Sequence, residues 1–247
     1  MKTSKSLYIV SLVLISFIIT VSCEKEFDKM IVENTALGDK ALVKVFNSTV
    51  SSQRTYMYVD NVPVTGSVLS YGSTFPSTSY ASALTPGNRN ILIKDTLATS
   101  SQPPISFTTN LVAGKNYSIF TYDTVNAIKY VLTEDEIIIP TDTTARVRFI
   151  NLIFSKSVLP NVDLFSVASG KNLFTNVALA KVTNFIPCAS KRTDTLYVRA
   201  TGTTTNLTPL ITFNATINRS YTVIYRGRYE TTTGTVMPRS LTAISNY

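Results

Sequence analysis

Hydrophobic and polar residues alternate in short runs along most of the chain, and no stretch keeps the 3.6-residue period of an amphipathic helix. In residues 41–47, for example, Ala41, Val43 and Val45 fall on one side and Lys44 falls on the other. This alternation is typical of a half-buried strand. Strand-forming residues are abundant, and Asn, Ser, Gly and Pro separate the runs. We therefore predict an all-β protein.

The same pattern places strands throughout the chain. In the first hundred or so residues after position 40, it predicts strands at 41–47, 55–59, 90–94, 105–111, 117–123 and 129–133. Further along, it predicts strands at 146–151, 163–167, 183–186, 195–200, 209–213, 221–226 and 240–244.

Two segments of the chain occur twice at one spacing. The sequence at 41–47 returns in a related form at 145–151, and the sequence at 110–119 returns at 214–223. The offset is 104 positions in both cases. A shared offset between separate matches indicates a tandem repeat of one domain-sized module. We assign the modules to residues 41–140 and 141–247, joined by a linker so short that they should touch.

The second repeated segment has the layout of a tyrosine corner, in which a Tyr hydroxyl bonds a backbone group upstream of its own strand. Tyr117 and Tyr221 occupy the corner position in the two copies. Gly114 supplies the freedom for positive φ, and Asn218 replaces it in the second copy. These four residues are therefore predicted to be structural, in two tandem immunoglobulin-like antiparallel β-sandwich domains.

The N-terminus carries a targeting signal. Lys2 and Lys5 precede an apolar run at 7–19 that is short for a membrane span, so residues 1–22 are predicted to be a signal peptide. The sequence Thr20-Val-Ser-Cys23 resembles the lipobox of bacterial lipoproteins, although Thr stands where Leu is usual. The resemblance implies acylation of Cys23, with 23–40 as a lipidated tether to the outer membrane of a bacterial cell envelope. An ordinary secretory signal and an uncleaved anchor are the alternatives.

The start of each module also resembles a known family. Ala-x-Val-x-x-x-Asn is followed by Tyr58-Val-Asp in the first copy and by Val162-Asp-Leu-Phe in the second. This pattern is similar to the bacterial family called domain of unknown function 4397. The resemblance implies an envelope or secreted protein with β-sandwich modules, and it brings no catalytic residues.

Composition and charge exclude several classes of function. The chain has no histidine, which excludes a Ser-His-Asp triad, a Cys-His pair and an imidazole metal site. Residues 141–247 carry twelve Lys and Arg against four acids, whereas 41–140 are neutral. This bias fits either an anionic partner or a solvated face. The solvated face is favoured because the arginines are dispersed and no basic run is longer than Lys191-Arg192. We expect no nucleic-acid partner.

The acids and the second cysteine offer little chemistry. Asp60 and Asp163 are expected at turns or strand ends rather than in a catalytic pair. The acids at 134–136 could hold calcium only if they converged, and neighbouring residues on an extended chain point to alternate sides. Cys188 is expected to be a buried small hydrophobe. We predict no metal and no cofactor.

Two kinds of surface feature remain. Tyr71, Phe75 and Tyr80 are candidate ligand contacts, because aromatic rings can stack on sugars, although they could equally cover the end of a sandwich. Four Asp-Thr motifs resemble the O-glycosylation acceptor of some Gram-negative bacteria; they begin at Asp95, Asp123, Asp142 and Asp194.

Taken with the leader, these features predict a non-catalytic, lipid-anchored envelope protein that binds a ligand such as a glycan. The alternative is a structural spacer that positions other envelope components. An enzyme would be favoured only by acids from different strands meeting in a deep cleft.

Overall fold

The computed structural model describes residues 37–52, 54–77, 80–231 and 237–246. Residues Leu37–Tyr247 form one compact unit. Within the described ranges the only helical element is a 3-10 turn at Leu37–Asp39, and no helix there is long and apolar enough to cross a membrane. The all-β prediction is confirmed. The predicted leader and Cys23 lie outside the described residues.

The first half of the unit, residues 41–135, folds into two facing sheets. Its strands are β1 (Ala41–Asn47), β2 (Thr55–Val59), β3 (Val62–Pro63), β4 (Thr74–Phe75), β5 (Ser82–Leu84), β6 (Gly87–Asp95), β7 (Ile105–Leu111), β8 (Asn116–Tyr122) and β9 (Lys129–Asp135). The inner sheet has the order β4-β1-β8-β9, with β5 also paired to β1. The outer sheet has the order β3-β2-β6-β7.

The second half, residues 145–245, has the same plan. Its strands are β10 (Ala145–Asn151), β11 (Val162–Ser166), β12 (Lys171–Val177), β13 (Ile186–Cys188), β14 (Thr193–Ala200), β15 (Ile211–Asn214), β16 (Ser220–Arg226) and β17 (Ser240–Ser245). The inner sheet has the order β13-β10-β16-β17, and the outer sheet has the order β12-β11-β14-β15.

Most neighbouring strands are antiparallel, but β1–β8 and β10–β16 are parallel. Alternation in a sequence shows which face of a strand is buried, and it carries no information on the direction of the partner strand. The parallel pairs are therefore a finding of the structure. They align the two repeated segments of each half side by side, for example Val43 beside Tyr117 and Val147 beside Tyr221.

The two corner tyrosines hold matching positions. The hydroxyl of Tyr117 accepts a hydrogen bond from Val112 N at 3.1 Å, and that of Tyr221 accepts one from Thr216 N at 3.0 Å. Both tyrosines pack against the core of their own half.

The turn before each tyrosine also matches. Gly114 and Asn218 have positive φ, 75° and 56°. Their N–H groups donate to Lys40 O and Thr144 O, which are related by the same repeat offset. Both halves thus close their first strand onto this turn in the same way.

Removing either corner hydroxyl should lower stability. We expect Tyr117→Phe and Tyr221→Phe each to cost about 0.5–1.5 kcal/mol, because one hydrogen bond to the backbone is lost while the ring stays packed. Urea denaturation of the two variants measures this. Tyr130→Phe, at an exposed position in β9, is the matched control and should be neutral. Equal stability of all three variants would contradict the structural role.

Each inner sheet also has a second apolar face, which packs on the other half. Phe46 and Phe120 of the first half meet Ile150, Leu152 and Ile224 of the second, and all five are at most 1% exposed. Burial of a side chain of this size stabilises by roughly 1.5–3 kcal/mol. We call this contact the junction. The halves are in contact, as the short linker predicted.

Candidate functional site

A groove of about 320 Å³ opens at the edge of the junction. The first half contributes β9 and the residues after it, and the second half contributes β10 and the segment before β13. The lining residues are Thr133, Glu134, Glu136, Ile138, Arg146, Arg148, Val182, Thr183, Asn184 and Phe185. Both halves are needed to form its walls.

Arg148 forms the floor of the groove and is 2% exposed. It donates through Nη1 to Asp135 Oδ1 at 2.6 Å, through Nη2 to Ser118 Oγ at 3.1 Å and through Nε to Thr222 Oγ1 at 2.9 Å. Its Cζ lies 4.6 Å from the centre of the Phe185 ring. A guanidinium bound on three edges and stacked on a ring is held in one orientation.

Residues at equivalent positions of the two repeats meet around Arg148. Lys44 is its counterpart in β1, and its Nζ donates to Ser245 O at 2.7 Å across the junction. Burial lowers the pKa of Lys44 to about 8, and the nearby Asp135 carboxylate opposes that shift. Asn246 occupies the place of Asp135 in the second half and accepts from Thr222 Oγ1 at 2.6 Å. In the buried ion pair, the first half therefore supplies the carboxylate of Asp135 and the second half supplies the guanidinium of Arg148.

The groove walls present polar groups that the protein leaves available. Glu136 and Asn184 are exposed, and within the described ranges their side chains have no hydrogen-bond partner. Arg146 uses Nη1 for Thr144 Oγ1 and Ala145 O. Glu134 is paired with Lys115 at 2.8 Å. The site can thus accept and donate hydrogen bonds beside the Phe185 ring.

The three aromatic candidates lie in different environments. The Tyr71 ring lies under the Arg226 guanidinium, with Cζ 4.6 Å from the ring centre. Phe75 belongs to β4 and packs against the core of the first half. Tyr80 is 75% exposed. Only Tyr80 therefore presents most of its ring to solvent.

The acids at 134–136 do not converge. Asp135 is buried beneath Arg148, whereas Glu134 and Glu136 are exposed, as the alternation predicted. In the described part of the chain, no group of three His, Cys, Asp or Glu side chains could hold a metal ion. This geometry gives Asp135 a structural role and leaves Glu134 and Glu136 at the surface.

The remaining candidate acids lie at structural positions too. Asp60, in the turn after β2, accepts from Asn90 N and pairs with Arg89 at 3.0 Å. Asp163 is buried in β11 and accepts from Asn172, Asn176 N and Thr201. Each carboxylate ties one loop to a strand of its own outer sheet.

The four Asp-Thr motifs differ in access. Thr96 and Thr143 are exposed outside the strands, Thr124 is half-buried and Thr195 is paired within β14. If these motifs are modified, as their resemblance suggests, Thr96 and Thr143 are the accessible acceptors.

Sequence reasoning did not single out Arg148. The pattern of β10 treats position 148 as an outward polar residue, and the structure buries it because another half covers that face. A signal was present in the repeat itself. Lys44 and Arg148 are cations at the same position of the two repeated strands, and each is followed two positions later by an apolar residue, Phe46 or Ile150.

No curated protein matches the sequence. Among solved structures, the chain is similar to a family 26 carbohydrate-binding module from Eubacterium rectale Amy13K, in complex with maltoheptaose, at 13% identity and a TM-score of 0.28. That match covers 83% of this chain and 95% of the other.

Family 41 modules from streptococcal virulence factors, described as recognising α-glucan, match at 11% identity and a TM-score of 0.25. This match covers 74% of this chain and 91% of the other. TM-scores this low carry no argument about the ligand of this chain. The family called domain of unknown function (DUF4397) matches residues 41–163. The matched residues span the first half, the linker and the start of the second half.

Proposed function

We propose that this chain is a non-catalytic binding module of a bacterial cell envelope, anchored through an acylated Cys23, and that it holds a short neutral glycan in the groove. The observation that carries the proposal is the groove itself. Two halves build it together, and its polar walls stand over an arginine that the junction fixes in place.

The charges of the groove favour a neutral, hydroxyl-rich ligand. Glu134 and Glu136 are balanced by Arg146 and Arg148, so the lining has no net charge. Sugar hydroxyls donate to carboxylates and accept from guanidinium and amide groups, and this groove offers all three. The Phe185 ring adds an apolar surface on which the face of a sugar ring can rest.

Preorganisation supports binding. Thr133, Glu134, Arg146 and Arg148 of the lining belong to β9 and β10, and the buried ion pair of Arg148 with Asp135 fixes these strands to each other, so this part of the groove loses little conformational entropy when a ligand arrives. A volume of about 320 Å³ is at the low end for ligand pockets, which fits a ligand of one or two sugar units rather than a long buried chain.

The environment of the acids supports a non-catalytic role. Hydrolysis of a glycoside needs a pair of carboxyl groups free to act as acid and base or nucleophile. Around this groove, Asp135 is held by Arg148 and Ser118, and Glu134 is held by Lys115. Glu136 alone is without such a partner among the described residues.

A glycan array with the Glu24–Tyr247 fragment tests the proposal. This fragment retains all three hydrophobic clusters, because they lie within Leu37–Tyr247. We expect selective retention of neutral glycans. Glu136→Gln and Asn184→Ala should each weaken binding about 3- to 10-fold, the effect of one lost hydrogen bond.

Asn110→Ala is the control for these variants, because Asn110 is exposed on β7 of the outer sheet. It should bind like the unmodified fragment. Retention that is unaffected by either groove substitution would contradict the site, and an array without any retained glycan would contradict the function.

A rigid spacer is the second candidate function, and the junction favours it. A buried ion pair and five buried apolar side chains fix the halves to each other, which a spacer needs and a flexible linker would not give. An empty array together with unchanged groove geometry would favour the spacer.

A further inference from the structure

Each half has a further cavity, and the two cavities lie at the same place in the fold. Each lies between a hairpin of the outer sheet and a short edge strand of the inner sheet. In the first half the cavity lies between the β2–β3 hairpin and β5, with a volume of about 210 Å³. In the second half it lies between the β11–β12 hairpin and β13, with a volume of about 230 Å³. Neither shares a lining residue with the groove.

The cation of the first-half cavity is fully engaged. Arg89 donates through Nη1 to Asp60 Oδ2 at 3.0 Å, through Nε to Thr85 O at 2.8 Å and through Nη2 to Pro86 O at 2.8 Å. The protein itself supplies both the anion and the carbonyl acceptors. Because its arginine is already paired, the first-half cavity is not expected to bind an anionic ligand.

The second-half cavity lacks that internal pairing. Its one carboxylate, Asp194, accepts hydrogen bonds from Ser166 Oγ, Ala168 N and Thr195 N. Among the described residues, Arg192 makes one hydrogen bond, from Nη2 to Ala168 O at 3.1 Å. In the part of the chain that the structure describes, Lys171 Nζ has no hydrogen-bond or ion-pair partner. Two exposed cations thus stand at the mouth of a cavity whose only acid is already satisfied.

The walls behind these cations are mostly apolar. They are formed by Leu173 of β12, Pro187 and Cys188 of β13, and the buried Phe213 of β15. We propose that this cavity binds a small organic anion with an apolar body, such as an aromatic or branched-chain carboxylate. The carboxylate would lie between Lys171 and Arg192, and the body would lie against Leu173 and Phe213. The volume suits a ligand smaller than a typical drug molecule.

Cys188 provides a built-in reporter for this site. It is half-buried in the cavity wall, and it is the only cysteine of the Glu24–Tyr247 fragment. Burial raises the pKa of its thiol to about 11, so it reacts slowly at neutral pH and its modification can be followed over hours. A ligand in the cavity should shield it.

The test uses benzoate as the probe and measures the rate of Cys188 modification by a disulfide reagent. We expect millimolar benzoate to slow the reaction several-fold and benzyl alcohol, its neutral analogue, to have little effect. Lys171→Gln and Arg192→Gln should each weaken the protection by benzoate about 5- to 10-fold. Lys181→Gln, an exposed lysine of the same half outside the cavity, should leave it unchanged.

Equal protection by benzoate and benzyl alcohol would overturn the anion assignment, and no protection by either would overturn the site. Amide chemical shifts of the unmodified fragment give a second readout that needs no variant. Benzoate should shift Leu173 and Phe213 and leave Asn184 of the groove unmoved. Shifts confined to the groove would contradict the inference without touching the proposed glycan site.

Discussion

Replacing Arg148 by alanine should destabilise the folded protein by about 3–5 kcal/mol, as expected when one partner of a buried ion pair is removed. The substitution leaves the Asp135 carboxylate inside the junction without its guanidinium partner, although Ser118 Oγ still donates to it. It also removes the group that stacks on Phe185 and bonds Thr222. Urea denaturation of the Glu24–Tyr247 fragment, followed by far-ultraviolet circular dichroism, measures the change in the free energy of unfolding.

A double-mutant cycle separates the charge from the packing. Arg148→Met and Asp135→Leu should each be destabilising, and the combined variant should be much more stable than the sum of the two effects predicts, because neither member of the ion pair is then left buried without the other. Arg192→Met, at an exposed position just before β14 and away from the junction, is the matched control for losing an arginine of the second half. Additive effects in the cycle would show that Arg148 and Asp135 are not coupled.

The junction explains why part of the site was beyond sequence reasoning. Alternation correctly located the long strands such as β1, β2 and β7, because one face of each packs on its own core. It assigned the other face of the inner sheets to solvent. When the second face of a strand is buried in a junction that contains charged residues, the sequence of the strand shows a mixture of polar and apolar residues. Only the structure shows what covers that face.

The missed elements have related causes. The short strands β3, β4 and β5 are too brief for a period to be visible. Strand β12 was not predicted because its pairing with β11 shifts register between Val162 and Leu164 and between Leu164 and Phe165. An edge strand with such irregularities does not alternate strictly, and four of its seven residues are exposed. By contrast, the corner tyrosines were visible because their constraint is local in sequence.

The structure also shows where part of the positive charge of the second half lies. Three of its arginines contact the first half: Arg148 in the junction, Arg226 over the Tyr71 ring, and Arg228, which donates to Ser51 Oγ at 3.2 Å. Part of the excess positive charge therefore serves the contact between the halves. Lys171 and Arg192 remain at the surface, where they face the cavity of the second half.

Gly227 marks a second position where a small change should have a large effect, and sequence reasoning did not identify it. It follows β16 with φ of 109°, and a Cβ at this position would overlap the Pro238 carbonyl, lying 2.8 Å from its carbon. Close approach is required here because Arg228 N donates to Met237 O at 2.9 Å, which pairs this segment with the one before β17. Glycine is the only residue that fits both constraints.

We expect Gly227→Ala to cost about 1–3 kcal/mol in backbone strain and a further 1–3 kcal/mol or more from the forced contact. Gly87→Ala is a matched control. Gly87 has a nearly identical φ of 104° at the start of β6, but a Cβ there would meet nothing within 4 Å. Urea denaturation gives the free energy of unfolding of each variant. The difference between the two values measures the contact with Pro238 separately from the backbone strain. If both variants lose the same stability, the segment before β17 can move away from Gly227 at no cost, and the close approach is not a requirement of the fold.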